Sequence, residues 1–205
     1  MSALRSVAPQ PRPRQPDDAM LFEAAARHNF PAFLTPIALS TPANATPFVV
    51  GRARFRALAR GWPGRGHLID ALEETVAAAG GCGAEVLALL IGGSFTDLDN
   101  PAPRDIDAIA FYRQADGAGA IDAAGLAELQ RRGRTAGADV RFIPLDGSPI
   151  VLIRSISYFT RLYSERRSGP GSAEQPARGL ILIDCAEDPD RGAEGRDGAE
   201  RVNPK

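Results

Sequence analysis

The stretch that most limits what this chain can become runs from residue 86 to 112, VLALLIGGSFTDLDNPAPRDIDAIAFY. A wholly apolar run stops at Gly92-Gly93-Ser94, and a second apolar run opens with Asp105-Ile106-Asp107. An unpaired charge taken into a core costs several kcal/mol or changes its protonation state, so two carboxylates heading a buried segment need a reason to be there. In a strand, alternate side chains share a face. That rule turns Asp105 and Asp107 the same way and sends Ile106 and Ala108 into the other layer. Like charges placed side by side raise each other's pKa, and a hard divalent cation with oxygen ligands, most readily Mg²⁺, relieves the repulsion by bridging them. Upstream, Gly92 and Gly93 leave the backbone open to close approach, so successive N–H groups and the Ser94 hydroxyl can receive phosphate oxygens.

On those residues the stretch resembles the DNA polymerase beta-like nucleotidyltransferase superfamily, in its small bacterial members. The signature of that superfamily is an apolar run, Gly followed by Gly or Ser, a short connection, and a strand reading Asp-x-Asp or Asp-x-Glu. Here Gly93-Ser94 precede Asp105-Ile106-Asp107 by the expected step, eleven positions from 94 to 105, and LALLI and AIAFY supply the two flanking strands. The resemblance covers about residues 66 to 145. A weaker likeness lies at Arg178-Gly179-Leu180-Ile181, where small bacterial members carry a basic residue, Gly and an aliphatic strand.

The resemblance implies an α/β (α+β) fold, a mixed β-sheet flanked by helices in a single domain with disordered termini. It implies a metal-dependent nucleotidyltransferase that moves a nucleoside monophosphate from an NTP donor to a protein, small-molecule or RNA acceptor and releases pyrophosphate. In that reading Asp105 and Asp107 bind Mg²⁺, or Mn²⁺, with the triphosphate, and Gly92, Gly93 and Ser94 hold its outer phosphates. The superfamily's third carboxylate sits on a strand one helix beyond the pair. It corresponds here to Asp139, which would complete a second metal position, with Arg141 on the same face as a nucleotide contact. Two other readings stand beside this one. The acids could merely face water on a surface hairpin, or the chain could be a non-catalytic nucleotide-binding or regulatory partner such as a toxin–antitoxin component. Retention of all three acids argues against degeneracy.

With 205 residues, 44% of them hydrophobic and 24% charged, the chain has the composition of a globular protein with one substantial core. The expected division is an arm over 1–18, a nucleotidyltransferase-like domain over 19–185 and a tail over 186–205. Pro9, Pro11, Pro13 and Pro16 mark the arm, and charge marks the tail; both offer little apolar surface to bury and are expected to be disordered. No apolar run long enough for a membrane span and no signal-peptide pattern is present, so a cytoplasmic location is expected. Cys82 and Cys185, with His28 and His67, show no zinc spacing and are read as reduced, structural thiols. Asn44-Ala45-Thr46 matches a glycosylation acceptor by chance. A net charge of −1 lacks the basic footprint of a protein that holds long nucleic acid; a short RNA such as tRNA stays open as an acceptor.

Along the chain, 19–30 reads as a short helix capped at Asp18, with His28 near its end, where contact with the helix dipole is favoured over catalysis. Residues 31–50 carry Pro31, Pro36, Pro42 and Pro47 and read as irregular. GRARFRALAR (51–60) reads as a helix with Phe55 and Leu58 inward and its arginines solvated. In 67–80, Leu68, Leu72 and Val76 recur at helical spacing. Gly81-Cys82-Gly83 precedes a strand instead of following one, which rules out a dinucleotide-binding turn. A helix is expected over Ile121–Ala136, with Leu126 and Leu129 toward the sheet. A strand is expected over Ala138–Leu145, turning Val140 and Phe142 inward and Asp139 and Arg141 to the other face. A helix over 150–167, a loop over 169–177 and a strand over Arg178–Cys185 complete the reading. The Tyr158, Phe159, Leu162 and Tyr163 set is taken as core packing, and the arginines of that helix could meet triphosphate or acceptor.

Overall fold

The apolar run Ala84–Gly92 becomes β2, the middle strand of the sheet, and its position explains why it carries so few polar residues. The computed structural model describes residues 18–165 and 177–186. The arm over 1–17, the 166–176 stretch with Arg166 and Arg167, and the tail over 187–205 lie outside the described residues. Around β2 the five strands run in the order β1-β5-β2-β3-β4, with β1 over Phe48–Gly51, β3 over Ile106–Gln114, β4 over Ala138–Pro144 and β5 over Ile181–Asp184. β2 is antiparallel to both neighbours, while β3·β4 and β1·β5 are parallel. This is a mixed sheet flanked by helices in one domain.

Strand alternation divides the core into two layers. Leu89, Ile91, Ile106, Ala108, Ala110, Val140, Ile181 and Ile183 face α1 (Asp18–Arg27), α2 (Arg52–Ala59), α3 (Gly66–Ala79) and α4 (Ala123–Thr135). Leu90, Ile109, Phe111, Ile143 and Leu180 face the other way and are covered by α5 (Pro149–Ser164) through Tyr163, Phe159 and Leu152. A bulge between Val86 and Ala88 shifts the alternation by one, which lets Val86 and Leu89 share the larger layer.

The helices follow their apolar spacing. Leu68, Leu72 and Val76 of α3 are buried as expected, and α3 ends in a 3₁₀ turn over Gly80–Cys82 with Gly83 at φ +77° reversing the chain. α4 starts two residues later than expected because Asp122 caps it, its carboxylate accepting the Gly125 N–H at 2.9 Å. The expected cap Asp18 is instead the first residue of α1. Arg52 and Arg54 of α2 and Arg60 just after it pair with the protein's own acids, Arg52 with Glu73, Arg54 with Glu23 and Arg60 with Asp70.

One segment differs from its sequence reading. Phe48–Gly51, which joins the last three residues of the 31–50 stretch expected to be irregular to the first of the expected 51–60 helix, forms β1 and pairs in parallel with β5. A four-residue strand behind Pro47 is too short to show alternation, and its pairing partner lies far along the chain. The strand expected over Arg178–Cys185 contracts to Ile181–Asp184, with Arg178 in an isolated bridge to Pro31.

Candidate nucleotide and metal site

The turn after β2 is built so that backbone, not side chain, lines it. β2 ends at Gly92, Gly93 takes φ +67°, and residues Gly93–Thr96 form a 3₁₀ turn carrying Ser94. A Cβ on Gly92 would lie 2.5 Å from Leu180 Cδ2 and 2.7 Å from Tyr163 Cβ, so α5 and the approach to β5 close directly on the backbone there. At Gly93 a Cβ would lie 3.0 Å from the carboxyl carbon of Asp107 and closer still to Oδ2. Glycine is required at Gly93 twice over, by its left-handed φ and by the carboxylate occupying the space.

Sheet register then lines up the acids. Asp107 of β3 stands opposite Gly92 on one side and opposite Asp139 of β4 on the other. Residues in register across a sheet share a face, so Gly92, Asp107 and Asp139 form a row on the α5 side. Asp105 lies one residue before β3 and is half-buried, while Ile106 and Ala108 are fully buried beneath the helices. Arg141 lies two residues beyond Asp139, and Val140 between them is in the core.

Asp139 is held by two guanidinium groups. Arg134 Nη2, from the end of α4, is 3.2 Å from Oδ1, and Arg141 Nη2 lies 3.4 Å from the carboxylate. Among the described residues, no three His, Cys, Asp or Glu side chains come together as a group that could hold a metal ion. The donor chemistry of Asp107 against the glycine turn, with the Asp105 carboxylate two residues before it in sequence, fits an oxygen-ligated divalent cation. Asp139 would join it by releasing its arginines.

Four residues outside the main motif, Arg65, Tyr163, Arg178 and Asn29, border or brace the site. Arg65 is fully buried and reaches the turn from the start of α3. Its Nε donates to Phe95 O at 2.8 Å, Nη1 to Pro63 O at 2.8 Å and Nη2 to Asp97 O at 2.6 Å, with the guanidinium over the Phe95 ring. Burial lowers its pKa while nearby Asp97 raises it, and three carbonyls take the place of water around the charge. Phe95 in turn packs among Phe55 and Trp62, which roots the turn in the aromatic part of the core. Nothing in the sequence marks Arg65 apart from neighbouring surface arginines.

Tyr163, read as core packing, does pack, against Phe159 and over Gly92. It also borders the acids. Burial pushes its hydroxyl pKa well up, and the negative charges of Asp107 and Asp139 push it further. Arg178 forms a 3.2 Å ion pair with Asp97, both about 15% exposed, which ties the segment before β5 to the loop after Ser94. Asn29, at φ +57°, bonds the same loop through Asp97, Asp99 and the Leu98 N–H. The weaker likeness at Arg178-Gly179-Leu180 thus lies in space beside the main motif. His28 and His67 are exposed, and Cys82 and Cys185 are free thiols.

Among comparisons with known proteins, a family model described as a family of unknown function, DUF6932, matches residues 46–184. No curated protein and no solved structure matches the chain.

Proposed function

The chain belongs to the DUF6932 family of unknown function, and we propose that it is a metal-dependent nucleotidyltransferase acting from an NTP on an acceptor hydroxyl or amine. The observation that carries this reading is the row Gly92–Asp107–Asp139, with Gly93 backbone packed against the Asp107 carboxylate. Gly92, Gly93 and Ser94 offer backbone N–H groups and a hydroxyl to the β- and γ-phosphates, and Arg65 keeps that turn in one conformation before substrate arrives. Asp105 and Asp107 would hold the divalent cation, which when bound would neutralise charge developing on the phosphates. Arg141 can pass from Asp139 to a phosphate oxygen, since a guanidinium serves carboxylate and phosphate alike. The acceptor oxygen or nitrogen bonds to the α-phosphorus, the bond to the bridging oxygen breaks with its electron pair, and pyrophosphate leaves. The acceptor proton goes to Asp139 or to solvent. Positioning of donor and acceptor supplies much of the rate.

One observation favours a second reading, a nucleotide-binding or regulatory protein without turnover: the Asp139 carboxylate is already paired with Arg134 and Arg141. Among the described residues no helix is long and apolar enough to cross a membrane. Together with two free thiols this supports a cytoplasmic setting. Protein, small molecule and short RNA all remain candidate acceptors. The deciding experiment incubates the protein with each α-labelled NTP, Mg²⁺ or Mn²⁺ and cell lysate, with Asp107→Ala as control. Label transferred to a discrete species by the parent and not by the variant supports the transferase. Calorimetric NTP binding with no transfer under any condition moves the protein to the second reading.

A further inference from the structure

Tyr163 carries a hydrogen-bond donor that the folded chain leaves unspent. It stands on the last turn of α5, is 5% exposed, and starts directly over Gly92, its Cβ and carbonyl oxygen 2.7 and 3.3 Å from where a Gly92 Cβ would be. Its ring packs on Phe159, with centroids 5.5 Å apart, in the layer that holds Leu90 of β2, Ile109 of β3 and Ile143 of β4. Among the described residues its hydroxyl forms no hydrogen bond, although the oxygen is not sealed from solvent. A buried tyrosine hydroxyl usually finds a partner, and packing alone would be served as well by phenylalanine. The donor is free for a group that arrives from outside.

The charges that act on this hydroxyl locate that group. Among them Asp107 acts most strongly, followed by Asp139 and Arg141, and all three stand on β3 and β4. The side chain therefore leads from the turn after β2 toward the next two strands. In the proposed nucleotide site the β- and γ-phosphates rest at Gly92, Gly93 and Ser94. With strands about 4.8 Å apart, the α-phosphate falls one strand farther along the row, at Asp107. A tyrosine hydroxyl is protonated at neutral pH and donates without adding charge, which suits an anionic oxygen already balanced by a cation. We propose that the Tyr163 hydroxyl donates a hydrogen bond to a non-bridging oxygen of the nucleotide α-phosphate. The proposal rests on the nucleotide reading and holds whether or not transfer follows binding.

The test is calorimetry of the full chain at neutral pH with Mg²⁺. The probes are the four ribonucleoside triphosphates, inorganic pyrophosphate, which can fill only the β and γ places, and both α-phosphorothioate diastereomers of the NTP bound most tightly. Tyr163→Phe keeps the ring over Gly92. It should weaken NTP binding at least about tenfold, the size of a hydrogen bond to a charged group, and leave pyrophosphate within about twofold. Sulfur is a weak acceptor, so one diastereomer should bind the parent at least about fivefold more weakly than the NTP, and that ratio should fall toward one in Tyr163→Phe. Tyr158→Phe, altered on the exposed part of α5, should bind every probe as the parent does. Equal weakening of NTP and pyrophosphate would give Tyr163 a packing role at Gly92. That result, an unchanged NTP affinity, or a diastereomer ratio that Tyr163→Phe does not alter overturns the proposal while the nucleotide reading stands. A parent that binds no NTP and no pyrophosphate overturns both.

Discussion

The carboxylate of Asp107 occupies the space where a side chain on Gly93 would begin, with a Cβ there falling 3.0 Å from its Cγ and closer still to Oδ2. Two parts of the candidate site, the phosphate turn and the first β3 acid, are therefore a single packing unit. A change at one displaces the other.

Gly93→Ala separates strain from contact when set beside Gly117→Ala. Both glycines have positive φ, +67° and +76°, but a Cβ on Gly117 meets nothing within 4 Å. Gly117→Ala should cost only the conformational strain, about 1 kcal/mol. Gly93→Ala should cost more, about 2–3 kcal/mol, and weaken NTP binding at least about tenfold because Asp107 must move. Urea unfolding and calorimetry measure the two effects. Equal stabilities in the two variants would remove the packing argument.

Arg65 makes the second prediction, since one fully buried guanidinium ties together the carbonyls of Pro63, Phe95 and Asp97. Arg65→Ala leaves those acceptors unmatched and opens a cavity under Phe95, for an expected loss of about 3–5 kcal/mol. Hydrogen exchange should quicken first in the turn, at the Asp97 amide that bonds Ser94 O. A uniform loss of protection across the sheet, with none confined to residues 93–97, would show that Arg65 serves the whole core and not the turn.

How much of this was legible in advance depends on the distance over which each signal acts. The Gly92-Gly93-Ser94 turn, Asp105 and Asp107 lie within one short stretch, and strand alternation alone sets the Asp139–Arg141 face. The layers above and below the sheet also follow from local apolar spacing, as at Leu68, Leu72 and Val76. Register is another matter. That Asp139 stands opposite Asp107 depends on how α4 returns the chain, and that Tyr163 closes over Gly92 depends on α5 crossing the far face. Arg65 was illegible because a buried arginine and a solvated one look alike in sequence, and β1 because its pairing partner β5 lies about 130 residues away.

Tyr163 gives a pH signature. Burial first, then Asp107 and Asp139, raise its pKa in the folded state above the usual tyrosine value of about 10. The folded chain therefore keeps this proton when the unfolded chain loses it. The contribution to stability is fully present below about pH 10 and declines as pH rises above that value, by at most about 1.4 kcal/mol per pH unit. Tyr163→Phe should lessen that decline while leaving the neutral-pH melting temperature within a few degrees. Identical alkaline stability curves for parent and variant would show that neither burial nor the acids hold this proton in the folded chain.

Asp139 carries the last prediction, because it divides the two functional readings. Its carboxylate stands in register with Asp107 and is paired with Arg134 and Arg141. As the third acid of a transferase, it acts mainly when the acceptor attacks. Asp139→Asn should then leave NTP affinity within about threefold and lower kcat by at least about a hundredfold, the pattern of an interaction made in the transition state. The Arg134 pair is more than half exposed on the arginine side and worth little. Arg134→Gln should accordingly leave both quantities unchanged, whereas Arg141→Gln should weaken NTP binding. If Asp139 only anchors arginines, Asp139→Asn instead alters affinity by freeing Arg141 for the triphosphate and leaves the rate of any transfer unchanged. Calorimetric affinity measured beside single-turnover transfer distinguishes the two outcomes, and an unaltered rate would reduce the site to Asp105 and Asp107.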